Sequence, residues 1–404
     1  MPRPQPAVIF IFITLFLDIF GIGLVVPVLP RLVEQMQGGN VEAASHTVGW
    51  LGALYALMQF LLSPILGSLS DRFGRRPVIL VSLLGSALDY LLLAWAPTLA
   101  WLFIGRIISG ITAANFSAAS AYIADITPPA KRAAGFGMIG AAFGLGFIAG
   151  PAVGGLLGEY GLRLPFLVAA GVTGLNWLYG VFVLPESLTH DNRRDFSWLS
   201  LNPFRSLAAL TRWPIVSGLA GSQFLMNLAH NIYPSLWVLY TGFRYNWSSQ
   251  TVGLSLCVVG LTSAIVQGVL AGKIIRKIGE RKAVLLGLGL MSITMAGYGL
   301  APEGWMIFVI IMIGAVGGVA GPAEQSLISQ AVPADEQGAV QGALNSLASV
   351  AGVIGPLLWT SIFAASLGTH GSINLPGLAF IIAGVLTFLA LVVAIRALRN
   401  WTPS

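Results

Sequence analysis

The feature that most constrains this chain is a series of apolar stretches that recurs from its first residues to its last. A helix needs about 20 mostly apolar residues to cross roughly 30 Å of hydrocarbon. Twelve stretches meet this length, at about residues 8–29, 48–69, 78–96, 99–124, 134–157, 164–184, 214–241, 250–272, 283–301, 304–330, 338–366 and 375–397. The sequence therefore predicts an all-α membrane protein with twelve transmembrane helices.

The composition excludes a soluble fold. Only 9% of the residues are charged and 56% are hydrophobic, whereas about a quarter of a soluble domain is charged. The first stretch contains Asp18, is too long for a signal peptide and lacks a small-residue cleavage site, so we expect it to stay in the protein. The single cysteine, Cys257, argues against a disulfide framework and against a thiolate metal site.

The basic residues predict the orientation of the chain in the membrane. If the N-terminus lies inside, 17 of the 21 lysines and arginines fall on the inner side: Arg3, Arg72, Arg75, Arg76, Lys131, Arg132, Arg193, Arg194, Arg205, Arg212, Lys273, Arg276, Lys277, Arg281, Lys282, Arg396 and Arg399. Only Arg31, Arg163 and Arg244 fall outside, and Arg106 lies within a stretch. This bias predicts that both termini are cytoplasmic, and it explains the net charge of +6 without nucleic-acid binding.

A long polar connection in the middle of the chain, residues 186–213, separates two groups of six stretches. It predicts a cytoplasmic linker between an N-terminal six-helix bundle, 1–185, and a C-terminal six-helix bundle, 214–404. The linker segment FSWLSLNPFRSLAAL is amphipathic, and we expect it to lie on the inner leaflet.

The two halves contain an internal repeat. The segment Gly67–Arg76 follows the second stretch, and Gly272–Arg281 follows the eighth, 205 positions later. The pair Gly150-Pro151 recurs as Gly355-Pro356 at the same offset. Parallel repeats of this kind place a substrate path between the halves near the membrane midplane, which is an architecture for alternating access.

The motif GSLSDRFGRRP, between the second and third stretches, is a candidate inner gate. Its glycines allow two helices to turn and approach closely, and Asp71 can either cap the next helix or pair with a cation. A plain charged turn is the alternative interpretation, but its recurrence with Arg276 in place of the acid favours a charged latch that breaks and re-forms. The candidate gate residues are Gly67, Asp71, Arg72, Gly74, Arg75 and Arg76.

Small residues recur at three- and four-residue spacing in GAAFGLGFIAGPAVGG, in the fifth stretch. Close packing of a neighbouring helix explains this pattern as well as a functional bend does. Gly150, Pro151, Gly355 and Pro356 are the candidate bend residues, on helices expected to line the interface between the bundles.

Five ionisable residues lie within the stretches: Asp18, Asp89, Arg106, His230 and Glu324. A charge in hydrocarbon costs several kcal/mol, so each needs a partner, a wet cavity or a proton. Because burial favours the neutral form of a carboxyl group, Asp18, Asp89 and Glu324 are the proton-coupling candidates. A static ion pair between Asp18 and Arg106, and a satisfied histidine beside a cavity, are the alternatives. Glu324 follows Pro322 in VGGVAGPAEQS, where glycine and proline are expected to interrupt the helix, and an interrupted helix at membrane depth is expected to line a cavity.

Amides and aromatic residues within the stretches suit a roomy site for a mostly apolar molecule. The substrate-cavity candidates are Tyr55, Gln59, Arg106, Asn115, Gln223, Asn227, His230, Gln325 and Asn345. The sequence has no GxxxxGK[ST] phosphate loop and no HExxH motif, so we expect neither an enzyme nor an ATP-driven pump, and no cofactor. An ion gradient, or equilibration of the solute, has to drive any transport.

Several segments resemble the tetracycline/proton antiporters of the major facilitator superfamily: LDIFGIGLVVPVLP, LGALYALMQFLLSPILGSLSDRFGRRPVILVSLLGSALDYLLLA, GRIISGITAAN, FGLGFIAGPAVGG, WVLYTGFRYNWSSQTVGLSL, GERKAVLLG and GVIGPLL. The resemblance implies export of a drug against proton entry across a bacterial inner membrane, by a monomer, with a divalent cation present only as part of a tetracycline substrate. It implies roles for Asp18 and Asp89 as acids near the transport path, for Asp71, Arg72 and Arg75 as the gate, for Arg106 as the helix-four arginine and for Gln325 as a cavity amide.

Two positions depart from this family. Its helix-eight histidine, four residues before a glutamine, falls on Ser263 before Gln267, and its helix-nine aspartate falls on Met291. Proton coupling would then have to use Asp18, Asp89 or Glu324. We hypothesise that Glu324, beside the matching Gln325, is the replacement acid.

The expected function is therefore a proton-coupled exporter of amphipathic compounds, with tetracycline-like drugs as first candidates. Uptake or facilitated movement of a small metabolite, such as a sugar or an organic acid, is the alternative within transport. A non-transporting receptor or scaffold is less favoured, because the sequence has no sizeable polar extension through which it could signal.

Overall fold

The computed structural model describes residues 6–113, 115–127, 132–188, 193, 210, 212–333, 336–367 and 374–399. These residues form α-helices and no strand. The helices are α1 (Pro6–Val25), α2 (Leu29–Met36), α3 (Val41–Phe73), α4 (Arg75–Trp95), α5 (Leu99–Thr112), α6 (Asn115–Ile126), α7 (Arg132–Tyr160), α8 (Leu164–Val183), α9 (Pro214–His230), α10 (Ile232–Tyr245), α11 (Ser249–Ile265), α12 (Ala271–Ile278), α13 (Glu280–Leu300), α14 (Gly304–Gly317), α15 (Ala320–Ala331), α16 (Gln337–Ser366) and α17 (Leu378–Arg399). A π-helical turn, Val266–Leu270, joins α11 to α12.

Ten segments of the described chain are helical, long and apolar enough to cross a membrane. They are Ile11–Met36, Val41–Phe73, Arg75–Trp95, Gly137–Tyr160, Leu164–Val183, Ser249–Ile278, Glu280–Leu300, Gly304–Ala331, Gln337–Ser366 and Leu378–Arg399, and Leu99–Thr112 is a shorter apolar helix. The predicted fold class, an all-α membrane protein, is confirmed. The predicted count of twelve spans is not confirmed.

The two predicted spans missing from these ten are each divided into two shorter helices, of 14 and 12 residues in the fourth span and of 17 and 14 residues in the seventh. In the fourth, α5 ends at Thr112 and α6 begins at Asn115. In the seventh, α9 ends at His230 and α10 begins at Ile232. Pro234 accounts for the second break, because a proline ring clashes with the carbonyl group four residues earlier, here that of His230.

The internal repeat extends to the ends of the helices. The helices α4 and α13 have 21 residues each, α5 and α14 have 14 each, and α6 and α15 have 12 each, with starting positions 205 residues apart in all three pairs. Gly74 and Gly279 precede α4 and α13 with φ values of +111° and +79°. The two halves of the sequence therefore fold into matching local structures along this region.

The described chain divides into two compact units. The first comprises residues 1–39, 54–201 and 247–257, and the second comprises 40–53, 202–246 and 258–404. The predicted domains differ from these units in the segments 40–53 and 247–257, which start α3 and α11. The domain limits at 185 and 214 stay a prediction, and residues 194–209, which carry most of the predicted amphipathic segment, lie outside the described residues.

Glycines allow the segments 40–53 and 247–257 to pack closely within their units. In the first unit, the Cα of Gly155 lies 3.1 Å from where a Cβ on Gly253 would stand. In the second unit, a Cβ on Gly52 would lie 3.1 Å from the Cβ of Pro356. The start of α11 thus packs on α7, and the start of α3 packs on α16.

Each unit has its own apolar core. In the first unit, fully buried side chains of α1, α4 and α6, including Leu15, Leu83 and Tyr122, form one cluster. In the second unit, a larger cluster joins α9, α13, α15, α16 and α17 and includes Leu219 and Leu327. The polar side chains described below are held by these helices.

Candidate functional site

In the first unit, Asp89 and Arg106 form a buried ion pair. The Asp89 side chain of α4 is 2% exposed, and its Oδ2 lies 4.0 Å from Nη2 of Arg106 on α5. The hydroxyl group of Ser109 donates a hydrogen bond to the same oxygen, whereas Oδ1 accepts none from the described residues. Gly105 makes room for this carboxylate, because a Cβ there would come within 2.8 Å of Oδ1.

Two further predicted residues belong to the same cluster. The guanidinium carbon of Arg106 lies 5.8 Å from the ring centroid of Tyr55, which is a cation–π contact. Asp18 on α1 is half-buried and lies within electrostatic range of Tyr55 and of the buried Tyr90. The structure therefore brings Asp18, Tyr55, Asp89 and Arg106 together, with Asp89 as an ion-pair partner of Arg106.

At the junction of α3 and α4, the Arg75 side chain lies between two acids. Its Nη1 is 2.5 Å from Asp71 Oδ1, and its Nε is 3.2 Å from Asp125 Oδ2 at the end of α6. Nη1 also donates to the hydroxyl group of Ser70. Asp71, predicted either to cap the next helix or to pair with a cation, thus pairs with a cation.

The cap of α4 comes from Glu186, a residue outside the predicted gate. Its Oε1 accepts the amide hydrogen of Arg75 at 2.9 Å, and its Oε2 accepts that of Arg76 at 3.2 Å. Ser187, the next residue, donates from its hydroxyl group to Asp125 at 3.0 Å. The signal available in the sequence was an acidic residue directly after the sixth apolar stretch, in the tripeptide Pro-Glu-Ser.

The other predicted gate residues are placed differently. Gly67 lies inside α3, and a Cβ there would meet no atom within 4 Å, so the predicted close approach at this glycine is wrong. Arg72 is exposed, and its guanidinium carbon lies 5.3 Å from the ring centroid of Phe73. Arg76 donates from Nη2 to the carbonyl oxygen of Val181 at 2.7 Å, which ties the start of α4 to the end of α8.

In the second unit, Glu324 is a buried acid in an apolar core. It is 0% exposed, and its Oε1 accepts a hydrogen bond from Ser222 of α9 at 2.9 Å. Oε2 is buried and accepts no hydrogen bond from the described residues. Gln223 is half-buried near the same carboxyl group. The helix interruption predicted in VGGVAGPAEQS lies at Gly318–Val319, before Pro322, so that Glu324 itself stands within α15 among core side chains.

Next to Glu324, the amide of Gln325 lies in a different environment. Its Nε2 donates to Oε1 of Gln341 at 2.5 Å. Both side chains line a small cleft with Ser329 and Gln337, between α15 and α16. Gln325 is therefore accessible from a polar cleft, whereas its neighbour Glu324 is not.

Two more candidates of the second unit, Asn227 and His230, lie where α9 meets α10. The amide of Asn231 donates to the carbonyl oxygen of Asn227 at 2.8 Å, and its Cβ occupies the space beside Gly355. His230 is exposed and stacks edge-on against Tyr233, with ring centroids 5.3 Å apart. This arrangement fits the alternative interpretation of His230 as a satisfied polar residue beside an accessible space.

Three predicted cavity residues are not part of these clusters. Gln59 is half-buried one turn after Tyr55, and Asn345 is exposed on α16. Asn115 begins α6, and its side chain lies outside the described residues. At the helix-nine position, Met291 is 8% exposed and packs against Gly317, so an apolar contact stands where the family has an acid.

The glycine–proline pairs serve helix packing. A Cβ on Gly150 would lie 2.7 Å from the Cα of Gly23, which brings α7 and α1 into backbone contact. Pro151 and Pro356 both stand inside unbroken helices, α7 and α16. The packing interpretation of these residues has direct geometric support, and a functional bend stays a prediction.

Each unit contains a buried carboxyl group, a type of group that can bind and release a proton. Among the described residues, no three His, Cys, Asp or Glu side chains are grouped as a metal site requires. The first unit has an aspartate with an arginine partner, and the second has a glutamic acid with a serine partner. Buried ionisable residues in a membrane protein are functional candidates by default, because their burial is costly.

Comparison with known proteins agrees with this arrangement. The sequence profile of the Major Facilitator Superfamily matches residues 11–356 and, in a second overlapping match, 219–403. The chain is 43% identical to the class C tetracycline resistance protein of Escherichia coli, over 96% of each chain, and 42% identical to the class B protein of Escherichia coli, over 90% of each. A crystal structure of the human organic anion transporter MFSD10 (TETRAN) superposes with a TM-score of 0.70 at 25% identity, over 97% of this chain and 100% of that one.

Proposed function

The chain belongs to the Major Facilitator Superfamily, and we propose that it is a proton-coupled exporter of amphipathic drugs, with tetracycline-like compounds as the first candidates. The observation that carries this proposal is the 43% identity to a tetracycline resistance protein along 96% of both chains. As a multi-pass membrane protein, it would work by alternating access in the inner membrane of a bacterium, as a monomer with both termini cytoplasmic.

Glu324 is the proposed proton-coupling acid of the second unit. A permanently ionised carboxylate with no exposed surface and no cationic partner among the described residues would be very costly. A protonated carboxyl group needs no such partner, and the Ser222 hydroxyl can bond to it in either state. We infer that Glu324 holds a proton in the closed environment seen here and releases it when water reaches α15.

Asp89 is the proposed coupling acid of the first unit, acting through Arg106. Protonation of Asp89 would weaken its ion pair with Arg106 and free the guanidinium group for an anionic or polar part of the substrate. Tyr55, which lies against the Arg106 guanidinium, offers an aromatic face beside this position. Asp18 extends the same cluster and is the third coupling candidate.

Proton coupling and substrate choice can be separated by experiment. Inside-out vesicles from an efflux-deficient bacterial strain expressing the protein would be energised, and uptake of tetracycline would be measured across a series of pH values. We expect accumulation that a protonophore abolishes. Parallel resistance tests with tetracyclines and with other drug classes would rank the substrates, with divalent cations supplied as part of the tetracycline complex.

Glu324→Gln tests the coupling acid directly, because the amide keeps the shape and the hydrogen bond but cannot ionise. We expect the variant to bind drug and to lose gradient-driven accumulation, whereas Glu303→Gln, an exposed acid at the start of α14, behaves as the unaltered protein. Transport by Glu324→Gln with an unchanged pH dependence would contradict the role of Glu324. If drug accumulation were absent in the unaltered protein and a metabolite entered instead, uptake would replace export.

A further inference from the structure

The junction of α12 and α13 carries a dense set of cations. Five lysines and arginines lie within ten residues, and all of them are exposed: Lys273, Arg276, Lys277, Arg281 and Lys282. The single acid among them, Glu280, has its Oε1 3.5 Å from the hydroxyl group of Ser326. None of the five cations forms an ion pair with an acid of the described chain, and the Nε of Arg276 donates to the carbonyl oxygen of Gly272 on its own helix.

At the matching junction of the first unit, between α3 and α4, the buried arginine is paired with acids. There, Arg75 lies between Asp71 and Asp125. At the positions 205 residues later, Asp71 is replaced by Arg276, Arg75 by Glu280 and Asp125 by Gln330. The second junction therefore lacks both of the acids that pair with Arg75 in the first and has additional cations. Its positive charge is available to a partner outside the unit.

The length of the helix that precedes these cations favours a position near the lipid headgroups. The helical segment Ser249–Ile278 has 30 residues, which at 1.5 Å per residue is about 45 Å, against roughly 30 Å of hydrocarbon. A helix of this length extends past the hydrocarbon, and its exposed lysines and arginine favour α12 as the end that lies among the headgroups. The positive-inside rule places this end on the inner leaflet.

The two faces of α12 have different surroundings. Ile275 and Ile278 pack against the apolar core of the second unit. Lys273, Arg276 and Lys277 lie on exposed positions of the same helix. The apolar face is thus occupied by the protein itself, and the basic face is directed away from that core.

An apolar surface precedes the cations along the same segment. Leu261, Ile265 and Val269 follow one another at four-residue spacing and are 51%, 48% and 54% exposed. A ligand that covers both surfaces needs an apolar tail and a negatively charged head. We propose that the α12–α13 junction binds an anionic phospholipid, whose phosphate contacts the cations and whose acyl chain lies along the end of α11.

The test counts lipid bound to the full-length protein. The protein would be reconstituted in phosphatidylcholine nanodiscs that contain a minor fraction of phosphatidylglycerol, and the lipid retained after extraction would be measured by native mass spectrometry. We expect enrichment of phosphatidylglycerol. Lys273→Gln/Lys277→Gln and Arg281→Gln/Lys282→Gln should each lower its affinity on the order of tenfold, because each basic residue near an anionic surface adds to the attraction.

Arg396→Gln/Arg399→Gln is the matched control, since it removes two exposed cations from the end of α17 in the same unit. Equal loss of phosphatidylglycerol from the control, or full retention by both test variants, would overturn the proposal. Binding of inorganic phosphate in pure phosphatidylcholine nanodiscs would also overturn it, in favour of a free-anion site. The two test pairs are separate, so that one stays informative if the other does not fold.

Discussion

The carboxyl group of Glu186 lies directly against Gly74. A Cβ on residue 74 would stand 2.8 Å from the carboxyl carbon of Glu186, and the two carboxylate oxygens accept the amide hydrogens of Arg75 and Arg76. Gly74 also has a φ of +111°, which side-chain-bearing residues rarely adopt. Glycine at this position therefore meets two requirements at once, a backbone conformation and a space for the cap of α4.

We expect Gly74→Ala to destabilise the protein by about 2 kcal/mol or more, because it adds backbone strain and displaces the Glu186 carboxylate. The measurement is thermal unfolding of the detergent-solubilised protein. Gly279→Ala is the control, because Gly279 has a φ of +79° but no atom within 4 Å of its Cβ position. The difference in stability between the two variants isolates the contact with Glu186. Equal destabilisation would show that this contact does not contribute to stability.

Glu186→Ala should expose the start of α4 to exchange. The carboxylate accepts four amide hydrogens, from Arg75, Arg76, Ser187 and Leu188, and losing these bonds is expected to cost on the order of 1–3 kcal/mol. Hydrogen exchange followed by mass spectrometry should show faster exchange in peptides containing these amides.

Glu303→Ala provides the comparison for Glu186→Ala. Glu303 also precedes a helix, α14, but its side chain makes no capping hydrogen bond. We expect unchanged exchange at the start of α14. Unchanged exchange at the start of α4 in Glu186→Ala would show that the cap is dispensable.

The repeat and the helix pattern could be predicted from the sequence because they depend on local properties. Apolar length sets the spans, and the recurrence of Gly74 as Gly279 marks equivalent helix starts. The partners of Arg75 could not be predicted in the same way. Asp125 and Glu186 are distant in the sequence, and only the packing of α6 and α8 against α4 brings them to the junction.

The acids show the same limit. Composition predicts that Asp89 and Glu324 need a partner or a proton, but it does not identify which. The structure assigns Arg106 to Asp89 and Ser222 to Glu324, and it places Glu324 in a core rather than in a polar cleft. The sequence predicts a cavity beside Glu324. The structure has a small cleft beside Gln325, the next residue of the same helix.

The packing of α1 on α7 predicts unequal effects of alanine along α7. Gly150→Ala should cost about 1–3 kcal/mol, because its Cβ would come within 2.7 Å of the Gly23 Cα and 2.8 Å of the Phe20 carbonyl oxygen, which are backbone atoms that cannot turn away. Gly144→Ala on the same helix meets no atom within 4 Å and should be neutral or slightly stabilising. Thermal unfolding checks both, and equal stability of the two variants would contradict the close contact.

The pair of Asp89 and Arg106 predicts a compensating double substitution. Arg106→Gln leaves a 2% exposed carboxylate without its cation, so we expect a loss of about 3 kcal/mol in stability. Asp89→Asn/Arg106→Gln removes both charges and should recover most of that loss, while transport stays abolished if Asp89 takes part in coupling. Thermal unfolding and drug accumulation in vesicles measure the two effects separately. If the double variant were no more stable than Arg106→Gln alone, the ion pair would have no energetic role, and if it still accumulated drug, Asp89 would not be a coupling acid.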